Sequence, residues 1–271
     1  MTNLAQRTIT GVLGAAILLS GIIYSEQTFI LLLIFISSMS LLEFYRLFES
    51  ENTKPQKVLG IVINGIIFLP PLIQNIFEAG FNILPLVIIL PYFIFIRELY
   101  LKNEKPLYNI GATLLGTFYI SIPLFCFYLI SFQGILENYQ YGCIIGYFFI
   151  LWANDIGGYF IGKYFGKRKL FERISPKKTW EGFFGGLLFA ALMAWFVSSL
   201  FTNFSIVDWM SIAAIIIITG TLGDLVESMF KRSVHIKDSG SILPGHGGFL
   251  DRFDGLFISA PFVFFYLQMF K

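Results

Sequence analysis

Leu107-Tyr-Asn-Ile-Gly-Ala-Thr-Leu-Leu-Gly-Thr-Phe-Tyr-Ile-Ser-Ile-Pro-Leu-Phe-Cys-Phe-Tyr-Leu-Ile-Ser-Phe132 carries no charged side chain from end to end. About 20 apolar residues suffice for a helix to cross the hydrocarbon of a bilayer, and this stretch exceeds that. Comparable runs lie at 9–24, 28–48, 58–77, 81–99, 140–162, 180–201, 209–229 and 249–270. The sequence therefore predicts about nine spans. Pro70 and Pro71 interrupt the third, and Pro85 and Pro91 the fourth. Prolines are tolerated in spanning helices when neighbours satisfy the freed carbonyls, so eight to ten spans stay open.

Composition says the same. Of 271 residues, 56% are hydrophobic and 13% charged, and the mean hydropathy is +0.74. A soluble domain carries ~25% charged residues, and one core could not hide this much apolar surface. Two cysteines exclude a disulfide scaffold, and Cys126 and Cys143 fall in apolar runs where packing is their expected role. Low polarity excludes disorder. The expected fold is an all-α integral membrane bundle with a polar cavity open to the cytoplasmic side. Residues 1–140 form a supporting region. Residues 141–271 form the catalytic region, with long loops at 163–179 and 230–248. No cleavable signal peptide is expected, because the first apolar segment leads straight into further spans.

Charge placement supports an even number of spans before residue 160. With nine spans, every Lys and Arg except Lys271 falls on the side of the N-terminus. The opposite connections carry Glu26, Glu78, Glu137 and Asp208 and no basic residue. The positive-inside rule makes the basic side cytoplasmic and sends the C-terminus across the membrane. A cell (inner) membrane location is expected, with no nucleic-acid partner.

Ionisable groups in or beside spans are costly and often functional. Asn154 and Asp155 interrupt an apolar run just before Gly157-Gly158. Ser175-Pro-Lys177-Lys178-Thr-Trp-Glu-Gly182 sets two lysines beside a helix start, a natural anion site. Asp224, Glu227, Ser228 and Lys231 follow the i, i+3, i+4, i+7 spacing of one helix face, with Arg232 one turn past Ser228. The fourth segment runs from Lys237-Asp238 through Gly245, His246, Gly247 and Gly248 to Asp251, Arg252 and Asp254. Its glycines permit close backbone approach to a ligand. Its carboxylates, with Asp224, suit a hard divalent cation that takes oxygen ligands, whereas the His-and-two-Cys pattern of a zinc site is missing. Interhelical packing bonds and positive-inside topology account for parts of the same pattern. Metal-binding carboxylates beside basic residues fit a phosphate-bearing nucleotide and a membrane lipid.

One C-terminal block carries a resemblance. Ser228-Met-Phe-Lys231-Arg232, Lys237-Asp238 and Leu243-Pro-Gly-His246-Gly247-Gly248-Phe-Leu-Asp251-Arg252-Phe-Asp254 resemble, without departure, the signature of the phosphatidate cytidylyltransferases (CDP-diacylglycerol synthases). The segments around Asn154-Asp155 and Ser175–Gly182 are similar to that family's as well. The resemblance covers roughly residues 150–260. It implies that CTP and phosphatidate give CDP-diacylglycerol and pyrophosphate. It implies Mg²⁺ on Asp224 and Asp251, with Asp254, Glu227 and Asp238 in support and room for a second cation. Lys231, Arg232, Lys237 and Arg252 would hold phosphate oxygens, and Lys177 and Lys178 the triphosphate or the lipid headgroup. Asn154, Asp155, Ser175, Ser228, His246, Gly247 and Gly248 would complete the substrate site, and a homodimer would suit the family. An ion-coupled transporter is the rival from another class. It would need charges near the midplane in both halves, whereas these gather in the C-terminal half. Another CTP-dependent lipid enzyme, such as a cytidylyltransferase for an unusual lipid phosphate or a polyprenol kinase, is a second rival and an inactive scaffold a third, and product analysis separates them.

Overall fold

In lipid every backbone amide must bond within its own segment or a closed sheet, and the apolar runs accordingly fold as helices. The structure, a computed structural model, describes residues 3–50, 52–73, 84–133, 138–240, 242 and 247–271. The first helices are α1 (Asn3–Tyr24), α2 (Glu26–Phe48), α3 (Lys57–Ile73), α4 (Leu84–Ile89), α5 (Tyr92–Tyr100), α6 (Pro106–Gly116) and α7 (Ile122–Ile130). They are followed by α8 (Tyr141–Phe165), α9 (Trp180–Leu200), α10 (Ile206–Ser233) and α11 (Leu250–Phe270).

Six helical stretches are long and apolar enough to cross a membrane: Glu26–Phe48, Pro106–Ile130, Tyr141–Phe165, Trp180–Leu200, Ile206–Ser233 and Leu250–Phe270. They coincide with six of the expected spans. Shorter apolar helices, Thr8–Tyr24 and Lys57–Ile73, stand at the first and third. The run at 81–99 is two short helices, α4 and α5, parted at Leu90-Pro91, and 74–83 lies outside the described residues. Pro91 supplies no amide hydrogen and sits at the N-terminal cap of α5, which accounts for the break. In the Pro106–Ile130 stretch, α6 and α7 are joined by a π-helical turn, Thr117–Ser121. Pro123 follows two residues later and cannot donate to the carbonyl of Tyr119.

The chain divides into two compact units, Met1–Phe125 with Asp238–Arg252, and Cys126–Lys237 with Phe253–Lys271. In the first unit, α2 supplies the core with Phe29, Leu33, Leu41, Phe44 and Tyr45. Ser25 caps α2 in a reciprocal box with Thr28, so α1 and α2 turn about a single residue. The Tyr45 hydroxyl donates to the carbonyl of Thr113 at 3.1 Å. Helices α3 and α6 reach Tyr45 at glycines: a Cβ on Gly116 would stand 2.5 Å from its ring, and one on Gly60 would overlap its hydroxyl. Buried Glu98 on α5 accepts hydrogen bonds from Gln56 (2.6 Å), Asn103 (2.8 Å) and Asn109 (2.7 Å).

In the second unit, α8 and α9 pack along a glycine seam. A Cβ on Gly157 would lie 2.7 Å from Phe189 and 2.8 Å from the carbonyl of Gly185; one on Gly182 would lie 2.9 Å from the carbonyl of Gly158. Small residues let apolar helices approach closely in a bilayer, where no hydrophobic force drives them together. The outer face of α9 exposes Phe184, Leu188, Leu192 and Trp195, an apolar stripe recurring every turn. Such a stripe suits lipid contact. Ser205 and Asp208 cap α10 reciprocally. Asp208 also pairs with Lys271 at 2.8 Å and accepts from the Tyr266 hydroxyl at 3.1 Å.

The loop at 163–179 contains the one strand pair among the described residues. Strands β1 (Lys169–Phe171) and β2 (Ser175–Thr179) run antiparallel, Lys169 opposite Thr179 and Phe171 opposite Ser175. This hairpin is a small addition to the all-helical expectation. Thr179 ends β2 and caps α9, its hydroxyl accepting from the Gly182 amide at 3.1 Å. Glu181 accepts from the amides of Lys167 (3.0 Å) and Arg168 (3.1 Å) and fixes the entry to the hairpin.

Candidate active site

Helices α8, α9 and α10 and the β1–β2 hairpin line an open cavity of about 610 Å³ in the second unit. Five predicted site residues line it: Asn154, Asp155, Lys177, Lys178 and Asp224. Thr179 ends the hairpin and starts α9, so the two lysines stand beside a helix N-terminus as their spacing implied. Gly158, Gly162 and Gly182 of the α8–α9 seam lie in the cavity wall. Volumes of ~300–1,000 Å³ are usual for small-ligand sites.

The charges interlock. The Lys178 ammonium meets Asp224 Oδ2 at 2.7 Å, and the Ser228 hydroxyl donates to Asp224 Oδ1 at 3.2 Å. Both Lys178 and Asp224 remain partly exposed, so this is a pair that a ligand can reach. Asp254 lies close enough to Asp224, Asp155 and Lys178 to interact with their charges. Its Oδ1 accepts from the Gly255 amide at 2.7 Å. The α10 face divides in two: Asp224 points into the cavity, whereas Glu227 is fully buried and pairs with Lys231 at 2.5 Å. Arg232 is exposed and donates to the carbonyl of Ile236 at 2.7 Å. Lys237, Asp238 and Arg252 are exposed, and Ser175 is half-buried in β2. His246 lies outside the described residues.

Asp251 belongs to the first unit. Its Oδ2 accepts from the Ser239 amide (3.0 Å), the Ser239 hydroxyl (3.0 Å) and the Gly248 amide (2.9 Å). Gly247 adopts a φ of +81°, a left-handed conformation that glycine takes without strain. The same turn rests on Glu43 of α2, a fully buried carboxylate.

Sequence reasoning missed several residues. Tyr159, Lys163 and Thr221 line the cavity, and Lys163 lies over the Tyr159 ring at 5.6 Å. Glu43 and Glu98 are buried carboxylates in the N-terminal half, where no site was expected. For Glu43 a signal existed: it is an acidic residue near the end of an otherwise apolar span.

As they stand, no three His, Cys, Asp or Glu side chains among the described residues form a metal-binding group. Mg²⁺ needs no such cage: it keeps several waters and is commonly held by one or two carboxylates and substrate phosphates. Asp224, with Asp254 and Asp155 near it, supplies carboxylate oxygen alone, which fits a hard cation.

The described helices thus frame a cavity that sets two lysines beside carboxylates. The chain belongs to the cytidylyltransferase family, whose profile matches residues 5–270. It is 35% identical to the phosphatidate cytidylyltransferase of Bacillus subtilis (strain 168), with both chains covered in full. It is 33% identical to that of Staphylococcus haemolyticus (strain JCSC1435), over 94% of this chain and 95% of the relative. Identity reaches 44% with the Staphylococcus saprophyticus protein, over 51% of this chain and 56% of the relative.

Proposed function

We propose that the chain is a phosphatidate cytidylyltransferase, joining CTP and phosphatidate into CDP-diacylglycerol and pyrophosphate. Full-length similarity to relatives of that name carries the reading, and the cavity chemistry agrees with it. A lipid phosphate oxygen attacks the α-phosphorus of CTP. A new P–O bond forms there, the bond to the β-phosphate's bridging oxygen breaks, and pyrophosphate leaves. The attacking phosphate is already ionised near neutral pH, so no strong general base is needed. Catalysis then rests on positioning and charge neutralisation.

Lys177 and Lys178 bind phosphate oxygens. Asp224 holds Lys178 until a phosphate competes for it, and Asn154, which also lines the cavity, offers amide hydrogen bonds. Asp224, with Asp254 in support, would hold Mg²⁺, which when bound would neutralise phosphate charge during in-line transfer, and the family resemblance adds Asp251 to its ligands. The acyl chains remain in the bilayer. On the charge asymmetry of the connections, the cavity and the N-terminus face the cytoplasm and nine spans cross the membrane.

The test uses radiolabelled CTP, phosphatidate micelles and the purified protein, with Mg²⁺ or with EDTA. Label should pass into the organic phase only with Mg²⁺. A folded protein that labels none of several lipid phosphates would overturn the reading and bring the transporter forward.

A further inference from the structure

Glu43 is fully buried, yet it sits in no apolar void. Its Oε2 accepts from the Leu250 amide at 2.8 Å and from the Ser239 hydroxyl at 3.2 Å. That same hydroxyl lies 3.0 Å from Asp251 Oδ2. Leu250 is the first residue of α11, so its amide is one of those no carbonyl inside the helix can satisfy. An acidic group there is favoured by the helix dipole. The other oxygen, Oε1, has no hydrogen-bond partner among the described residues. It stands where a Cβ on Gly240 would be 2.6 Å away, and a Cβ on Gly248 would overlap Oε2. Two glycines are therefore needed for the turn to close over this carboxylate.

We infer that Glu43 is a positioning residue for Asp251: from α2 it anchors Ser239 and the start of α11, and so fixes the Asp251 carboxylate in its place. The inference rests on the proposed role of Asp251 in the cytidylyl transfer. Glu43 reaches no substrate in this scheme and acts only through the turn. Supporting groups of this kind typically change activity or metal affinity by about 10–100-fold when removed.

The test compares wild type, Glu43→Gln and Ser239→Ala as full-length protein in detergent. Hydrogen exchange is read on a peptide covering 247–252 and on a control peptide from α8. In both variants exchange at 247–252 should quicken by about tenfold or more while the control stays within about twofold. The value of kcat should fall about 10–100-fold with the KM for CTP nearly unchanged. Unchanged exchange at 247–252 would overturn the inference, as would equal loosening of both peptides or local loosening with wild-type kcat. Should Glu43→Gln fail to fold, Ser239→Ala alone decides, because it removes the hydroxyl bridging the two carboxylates. Exchange needs no substrate, so a wild-type protein that makes no CDP-lipid would refute the function and leave the anchoring readable.

Discussion

Lys178 faces two claims on one ammonium. Asp224 holds it at 2.7 Å, and a phosphate entering the cavity would compete for it. Losing a donor aimed at developing charge commonly costs about 10²–10³-fold. Lys178→Met should therefore lower kcat by at least ~10²-fold without lowering the melting temperature by more than a few degrees. Asp251→Asn should abolish turnover in a protein that still elutes as a folded, monodisperse particle; wild-type activity would remove Asp251 from the metal site. Lys271 behaves differently. Its hydrogen bond to Asp208 holds its ammonium above the ordinary lysine range. A raised lysine gives its full contribution below the unfolded value and loses it only as pH climbs through the folded one. Between about pH 6 and 9, wild type and Lys271→Met should differ by a constant melting offset. An offset that drifts in that window would contradict the pairing.

Among the elements, the seam between α8 and α9 makes the sharpest forecast. A Cβ on Gly185 would fall onto Ile161, whereas one on Gly158 would lie 3.5 Å from a carbonyl, an ordinary contact. Overpacking a tight site costs about 1–3 kcal/mol. Gly185→Ala should destabilise by that amount in thermal melts, and Gly158→Ala by much less. The long helices were legible because apolar length alone specifies them. The hairpin at 169–179 was not, since a short, basic, proline-containing loop has neither periodicity nor apolarity to betray a strand. The split of the 81–99 run came from Pro91, whose presence was visible but whose outcome depends on neighbours. On α10 the shared face of Asp224, Glu227, Ser228 and Lys231 was readable from spacing. Its division was not, because Lys178 comes from another element, and spacing cannot tell which carboxylate it meets.

For the molecule as a whole, sidedness is the first thing to check. In the proposed orientation, trypsin should cut near Lys167 and Arg168 in inside-out vesicles and leave them intact in right-side-out ones. The reverse pattern would invert the topology. What the sequence could not convey is that two carboxylates far apart in the chain, Glu43 and Asp251, meet at one serine. No periodicity reports a contact of that range.

The separation has a consequence for how the protein is made. Glu43 and Leu250 are 207 residues apart. At a synthesis rate of about 5–20 residues per second, roughly 10–40 s pass between their translation. Throughout that interval the second helix must be handed to the membrane with an acidic group whose eventual partners do not yet exist. A ribosome stalled before residue 239 should therefore display a nascent chain whose second helix is reluctant to leave the insertion machinery, and Glu43→Leu should release it.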